Sequence, residues 1–249
     1  MTQDAIAFSD LIAPLAPADV SALWRSQTFK HQRGSGEHRF GALLNWDSLW
    51  ALIDGAVIAP ESCRVTYARR TVDSTFYLDE GRFNPDRLAG LFEQGVSMII
   101  VKLNEHVPSI AAACRDAANF GLRIVHAGAI ATTGDQGAFG SHYDLFHLIV
   151  LQVEGSKRWR VYGPRAHKPT AAMATVDPPQ SPPILDTVLQ EGDILFLPSG
   201  YWHSCDNGPG RSLHVTLGCV AKPTRTPGEG ANPQSRGRYG VEDRHAGSD

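Results

Sequence analysis

Hydrophobic and polar positions follow two different periods along this chain. Over residues 5–55, apolar side chains recur at the spacing of an amphipathic helix, and segments 9–12 and 17–24 each open with a helix-start signal. A further apolar run over residues 45–53 begins at Asn45, a residue type that favours the N-cap. These patterns predict a helical N-terminal region.

Beyond residue 60 the pattern changes to the alternation typical of strands, interrupted by two helices. Predicted strands cover 64–69 and 97–102, and predicted helices 83–92 and 108–120. From residue 122 onward only strands are predicted: 122–132, 143–153, 157–162, 185–189, 193–197, 203–207 and 211–220. Many short strands separated by Gly, Pro, Asn and Asp favour a barrel or jelly roll. A Rossmann unit is disfavoured because no glycine-rich phosphate loop opens either helix.

These patterns predict one domain with appendages. Residues 1–60 form a helical lead-in packed on the barrel, 61–222 form the barrel core, and 223–249, rich in Gly, Pro, Ser and charge, form a disordered tail. The Pro-rich stretch 168–183 and the polar loop 31–39 are expected to close over a site in the barrel.

Composition disfavours several classes of function. A net charge of -3 over 249 residues disfavours a general nucleic-acid binder, and no apolar run is long enough to span a bilayer. No export leader is recognisable at the start of the sequence. The four cysteines are scattered and form no Cys-x-x-Cys pair, so we interpret them as reduced thiols of a cytoplasmic protein.

A candidate metal site comes from the spacing of three side chains. His142 and Asp144 lie two residues apart and would share one face of a strand, and His203 follows a strand-like run that ends in a tight turn. Two imidazoles and one carboxylate leave about three of six octahedral positions open, as in non-haem Fe(II) oxygenases. On affinity alone the set suits Fe(II), Mn(II) or Zn(II). The remaining histidines are interpreted as structural: His31, His38, His106, His126, His147, His167 and His245.

The flanking motifs make the signal more specific. Around the His142-Tyr143-Asp144 motif, segments 152–159, 191–198 and 212–217 occur in an order that resembles the JmjC branch of the cupin superfamily. That branch comprises 2-oxoglutarate oxygenases, including ribosomal-protein and asparaginyl hydroxylases. The resemblance implies a mainly β double-stranded β-helix, a jelly-roll barrel behind the helical N-terminal region. It also implies a dioxygenase that uses Fe(II), 2-oxoglutarate and dioxygen, with His142, Asp144 and His203 as catalytic metal ligands.

The resemblance further implies a cosubstrate site. In the family, a Lys or Arg at the position of Lys157 holds the distal carboxylate of 2-oxoglutarate. The turn expected at residues 154–156 predicts a hairpin that returns Lys157 beside the metal strand. Thr132 and Thr133 are candidates for contacts with the cosubstrate carboxylate, and His214 for a role in the pocket. Plain barrel packing is the alternative for these three residues.

The substrate is the least constrained feature. Ribosomal-protein hydroxylases of this branch carry further modules after the barrel, and we expect no such module here. We therefore expect a small-molecule, amino-acid or peptide substrate, hydroxylated at an sp3 carbon of a free, carrier-bound or peptide amino acid. A hydroxylase or demethylase of a larger protein is an alternative, as is a non-catalytic or non-redox cupin acting as a binding protein, isomerase or hydrolase. No nucleic-acid or membrane partner is expected, and the oligomeric state, including a homodimer, is left open.

Overall fold

The computed structural model describes residues 6–34, 36, 38–135, 137–164, 179–208 and 210–221. The expected tail 223–249 and most of the expected loop 168–183 lie outside the described residues, as do His167 and His245. Within the described ranges, no helix is long and apolar enough to cross a membrane.

Helices occupy the N-terminal region and the stretch before the barrel, which confirms the predicted helical N-terminal region. Asn45 caps the third helix, since its side chain accepts a hydrogen bond of 2.7 Å from the backbone N–H of Ser48. The short fifth helix was not predicted. The helices are α1 Phe8–Ile12, α2 Pro17–Arg25, α3 Trp46–Asp54, α4 Pro85–Glu93, α5 Leu103–His106 and α6 Pro108–Ala117.

Strands form the remainder of the described core, and all their pairings there are antiparallel. They are β1 Lys30–Gln32, β2 Cys63–Tyr67, β3 Arg70–Thr71, β4 Leu78–Asp79, β5 Arg82–Phe83, β6 Ser97–Ile100, β7 Leu122–Thr132, β8 His147–Glu154, β9 Lys157–Pro164, β10 Leu185–Leu189, β11 Ile194–Leu197, β12 Tyr201–Asn207 and β13 Ser212–Ala221. The seven strands predicted after residue 122 are all present. The missed strands β1, β3, β4 and β5 span two or three residues, too few for a period to be visible.

Two sheets build the barrel, which confirms the predicted jelly roll. The large sheet has the order β1-β11-β8-β13-β7-β6-β2-β3, and the small sheet has the order β10-β9-β12. Strand β1 comes from the expected lead-in and pairs with β11, so backbone hydrogen bonds join that part of the chain to the barrel. The domain division at residue 60 stays a prediction.

The large sheet is buried on both faces. On β8, Leu148 and Val150 pack toward Trp159 of the small sheet, whereas Ile149 and Leu151 belong to the apolar layer shared with the helices. The same alternation on β13 directs its odd-numbered residues to the helices. Its even-numbered residues, including His214, therefore face the interior between the two sheets.

The turn between β8 and β9 connects the two sheets. Gly155 adopts φ 64°, and a Cβ on it would lie 2.1 Å from the carbonyl oxygen of Arg211. The expected hairpin is wrong, because β8 and β9 belong to different sheets and are not paired. Lys157 instead reaches the interior from β9, whose neighbour β12 carries His203.

Candidate active site

His142 and His203 are joined by a short antiparallel bridge at the edge of the small sheet. The N–H of His142 donates to the carbonyl of His203 at 2.9 Å, and the N–H of His203 donates back at 2.8 Å. Their ring centroids are 4.3 Å apart. Beside them, the carbonyl of Asp144 accepts a hydrogen bond of 2.8 Å from Gly200. Backbone bonds thus fix the segments that carry all three predicted metal ligands.

The ring orientations leave one nitrogen of each imidazole free. Nδ1 of His142 lies 2.9 Å from the carbonyl oxygen of Gly140, and Nδ1 of His203 lies 3.0 Å from that of Tyr201. A carbonyl oxygen only accepts, so both Nδ1 atoms carry the hydrogen and both Nε2 atoms keep a lone pair. Oδ2 of Asp144 lies 3.8 Å from Nε2 of His142 and 3.4 Å from Nε2 of His203.

These three side chains satisfy the requirements of a metal site. Their ligand atoms all lie within 4.8 Å of one another, close enough for one ion to contact all three. Burial lowers the pKa of His203 to about 4, His142 adds to this effect and Asp144 opposes it. The imidazole of His203 is therefore neutral near pH 7, which is the form that binds a metal. The carrier backbone differs from the expectation, because His142 and Asp144 precede β8 in a loop and do not lie within it.

Local backbone features aim the ligands. Opposite His203, the register of β9 shifts so that Trp202 pairs with Gly163 and His203 pairs with Val161, leaving Tyr162 as an extra residue. Such bulges redirect side chains and are common next to active sites. In the loop before His142, a Cβ on Gly137 would lie 1.8 Å from the carbonyl oxygen of Cys205, so only glycine fits this close approach.

Lys157 is buried with an incomplete set of partners. Its side chain has no solvent exposure, and its ammonium donates to the hydroxyl of Thr132 at 3.1 Å. The Thr132 hydroxyl also lies 3.1 Å from that of Ser97. Burial lowers the pKa of Lys157, and Cys205 and Asp206 oppose the effect. No carboxylate within the described residues is hydrogen-bonded to this ammonium, so the site fits an anionic ligand.

The other predicted polar residues divide between the interior and the outside of the barrel. His214 is buried near Lys157, and its Nδ1 has no hydrogen-bond partner among the described residues. Burial, with Lys157 adding to it, lowers the pKa of His214 well below its usual value. Thr133 does not join Lys157 and His214 in the interior, because its hydroxyl donates to the carbonyl of Phe92 at 2.5 Å.

A cavity of about 340 Å³ joins the metal ligands to His214. The metal triad lines it together with Cys205 and His214, and much of the rest of its wall is apolar: Ile99, Ile130, Phe139, Phe146 and Leu148. His126 also lines the cavity, although sequence reasoning interpreted it as structural. Alternation in β7 contained no signal for this, because the register is interrupted next to His126.

Comparisons with known proteins agree with this geometry. The JmjC domain family matches residues 105–226. The chain is 31% identical over 156 residues to the bifunctional lysine-specific demethylase and histidyl-hydroxylase NO66 of Drosophila persimilis, which covers 59% of this chain. It is 30% identical over 230 residues to ribosomal oxygenase 1 of Gallus gallus, which covers 84% of this chain. The chain spans only 23% and 36% of the lengths of these two relatives.

A solved structure shares the fold. The structure of YcfD, a ribosomal oxygenase from Escherichia coli in complex with cobalt and 2-oxoglutarate, matches with a TM-score of 0.54 and 17% identity. The match covers 94% of this chain and 63% of that chain. This match confirms the predicted fold class, and the JmjC domain match confirms the family resemblance.

The expected substrate is corrected by the same comparisons. A small-molecule, amino-acid or short-peptide substrate is wrong, because the relatives are named as ribosomal oxygenases and as a histidyl-hydroxylase, and these names indicate a protein substrate. The expectation relied on modules that follow the barrel in the resembling hydroxylases.

Proposed function

We propose that this chain, whose residues 105–226 match the JmjC domain family, is a cupin-like 2-oxoglutarate-dependent oxygenase that hydroxylates a side chain of a protein substrate, specifically a ribosomal protein. The observation that carries the proposal is the convergence of two imidazole nitrogens and one carboxylate at a cavity, together with a buried lysine in the barrel interior.

The metal donors fit Fe(II). His142, Asp144 and His203 would hold the ion on one side and leave about three positions for other ligands. When bound, Fe(II) with 2-oxoglutarate and dioxygen supplies the oxidant that converts a C–H bond into C–OH, with release of succinate and carbon dioxide. The carbonyls of Gly140 and Tyr201 accept from Nδ1–H of His142 and His203, which fixes the orientation of each ring and leaves Nε2 for the ion.

Lys157 fits the distal carboxylate of 2-oxoglutarate. A buried ammonium whose hydrogen-bond partner is one neutral hydroxyl is destabilising, and a carboxylate would provide the missing charge partner. Thr132 would orient the ammonium and offer its hydroxyl to the same ligand. A binding protein, isomerase or hydrolase built on this barrel has no need for a buried cation, so the arrangement favours the oxygenase over those alternatives.

The rest of the cavity wall is apolar around the metal ligands, which suits an oxidation carried out away from bulk water. Phe139 packs edge-on against His142 at 5.4 Å between ring centroids, and Trp159 stacks on His203 at 5.6 Å. Apolar side chains around the ligands keep bulk water from the reacting C–H bond and limit the side chain that can enter. The cytoplasmic location expected from the four free thiols stays a prediction.

Succinate release and mass spectrometry test this function together. Purified protein with Fe(II), ascorbate and 2-oxoglutarate is incubated with ribosomal proteins extracted from bacterial and from eukaryotic ribosomes. We expect succinate formation that rises with the added protein, and one ribosomal protein that gains the mass of a single oxygen atom. Succinate release stimulated by free amino acids, with no extracted protein oxidised, would contradict the proposal.

A further inference from the structure

His126 is a cavity-facing imidazole that the metal and cosubstrate sites do not use. It is half-buried, lines the same cavity as the metal triad, and its nitrogens make no hydrogen bond within the described residues. Burial lowers the pKa of His126, and the carboxylate of Asp144 opposes the effect. The ring thus offers its nitrogens to the cavity that the metal ligands also line.

A bulge in β7 turns this ring toward the cavity. Leu122 and Ile124 pack in the apolar layer under the helices, and so does Ala127 further along the strand. Regular alternation continued from Ile124 would place His126 in that layer as well. The register shows where the pattern changes: Gly218 pairs with His126 while Cys219 pairs with Ile124, so Val125 is an extra residue.

Two glycines provide the space that the imidazole occupies. A Cβ on Gly128 would lie 3.0 Å from Cε1 of His126, and a Cβ on Gly218 would lie 3.1 Å from Cδ2 of the same ring. Gly218 is the cross-strand partner of His126, and Gly128 is two residues further on the same strand. The ring therefore packs against the backbone of these two glycines, where a side chain would otherwise lie.

The position of His126 along β7 separates it from the cosubstrate anchor. Thr132, which contacts Lys157, lies six residues further along the same strand, about 20 Å at the usual rise per residue. Asp144 acts on His126 electrostatically, whereas Lys157 acts on His214. The cosubstrate anchor and His126 thus occupy different positions along β7, and His126 lines the cavity together with the metal ligands.

We propose that His126 is a specificity-determining residue that hydrogen-bonds the target side chain of the protein substrate beside the metal centre. This inference rests on the proposed function. An imidazole offers two ring nitrogens for hydrogen bonds, so it would recognise a polar target side chain and orient it within an otherwise apolar wall. Gly128 and Gly218 leave the space in which the ring lies.

The experiment compares four variants on the ribosomal protein that the wild type oxidises. His126→Phe keeps the ring but removes both hydrogen-bonding atoms, and His126→Gln restores a donor and an acceptor. Gly218→Ala crowds the ring without removing it, and His106→Phe is the control, since His106 does not line the cavity. We expect His126→Phe to lower kcat/KM about tenfold, mainly through KM, the size of one lost hydrogen bond. His126→Gln should recover part of the loss, Gly218→Ala should be intermediate, and His106→Phe should match the wild type.

A second readout needs no turnover. Calorimetric titration of the same ribosomal protein into Co(II)- and 2-oxoglutarate-loaded enzyme should give about tenfold weaker binding for His126→Phe, while titration of 2-oxoglutarate alone should match the wild type. Equal protein affinity and equal kcat/KM for His126→Phe and the wild type would overturn this inference alone. If the wild type oxidises no extracted protein, the proposed function fails, and the role of His126 fails with it.

Discussion

The ammonium of Lys157 lies 3.1 Å from the hydroxyl of Thr132, and the lysine side chain is fully removed from solvent. The two residues come from opposite sheets, Lys157 from β9 and Thr132 from β7. Their contact therefore spans the barrel interior at one end. A buried cation without an anionic partner destabilises the folded protein. Binding of the cosubstrate carboxylate would supply that partner and so stabilise the fold.

Replacing Lys157 by Met separates stability from binding. We expect 2-oxoglutarate affinity to fall roughly ten- to hundredfold, because a charge-assisted hydrogen bond contributes about 1.5–3 kcal/mol. The ligand-free variant should melt at a higher temperature than the wild type, because the unpaired buried charge is gone. Anaerobic titration and thermal melting measure the two effects. The exposed Lys102→Met is the matched control. An unchanged dissociation constant would show that Lys157 does not hold the carboxylate.

Removal of one metal ligand should abolish metal binding. Wild-type protein is expected to bind about one Mn(II) or Fe(II) per chain, and Asp144→Ala or His203→Ala to bind almost none, because the remaining two donors hold the ion weakly. Equilibrium dialysis gives the stoichiometry, and circular dichroism checks that the sheets remain. His106→Ala should bind like the wild type. Stoichiometric binding and full turnover in Asp144→Ala would refute the assignment of this ligand.

Gly137 tests how strictly the ligand loop is held against β12. Its Cβ would collide with the carbonyl of Cys205, so Gly137→Ala must displace the loop that leads to His142. We expect a loss of about 1–3 kcal/mol in unfolding free energy and weaker Mn(II) binding. Gly140→Ala is the control, because a Cβ there meets nothing within 4 Å. Equal melting temperatures and metal affinities for the two variants would show that the loop is not constrained at Gly137.

His147 should make stability depend on pH. Its ring stacks on Trp24 at 4.8 Å and accepts a hydrogen bond of 3.2 Å from the N–H of Ser199. Burial lowers its pKa to about 4, whereas the unfolded chain takes up this proton near pH 6.5. The contribution of His147 to the free energy of unfolding is therefore fully present above about pH 6.5 and is lost as the pH falls toward 4.

The matching variant is His147→Phe, which keeps an aromatic ring against Trp24 but does not titrate. We expect it to melt lower at pH 7, since the Ser199 N–H loses its acceptor, but to lose less on acidification. Thermal melts at pH 7 and pH 5 compare the two slopes. Parallel declines in wild type and variant would mean that His147 does not contribute to the acid sensitivity.

Much of the fold was predictable because its strands alternate regularly and are long. The period-two pattern located β7 to its ends and fixed β10 completely, and the ordered motifs around His142 indicated the barrel type. The connection after β8 was not predictable, because Gly155 and Ser156 are equally suited to a hairpin and to a crossing between sheets. A pattern of local residues cannot distinguish these two paths.

The candidate site was predictable only in part. Residue type and order were enough to suggest His142, Asp144 and His203, since metal ligands are restricted to few side chains. Thr133 was grouped with Thr132 because the two are adjacent, yet neighbours on a strand face opposite sides, and Thr133 turns toward Phe92. His126 was missed because its direction depends on the extra residue Val125, and no local sequence feature marks that bulge.

The bulge at Val125 also determines where β7 can change in length. A chain without Val125 would keep Ile124 and Ala127 under the helices and His126 in the cavity, because removal of the extra residue restores plain alternation. Deletion of Ala129, in contrast, would move the side chains on one side of the deletion to the opposite face of the sheet. A one-residue deletion at this junction therefore leaves the cavity lining unchanged, whereas one within the regular part of the strand does not.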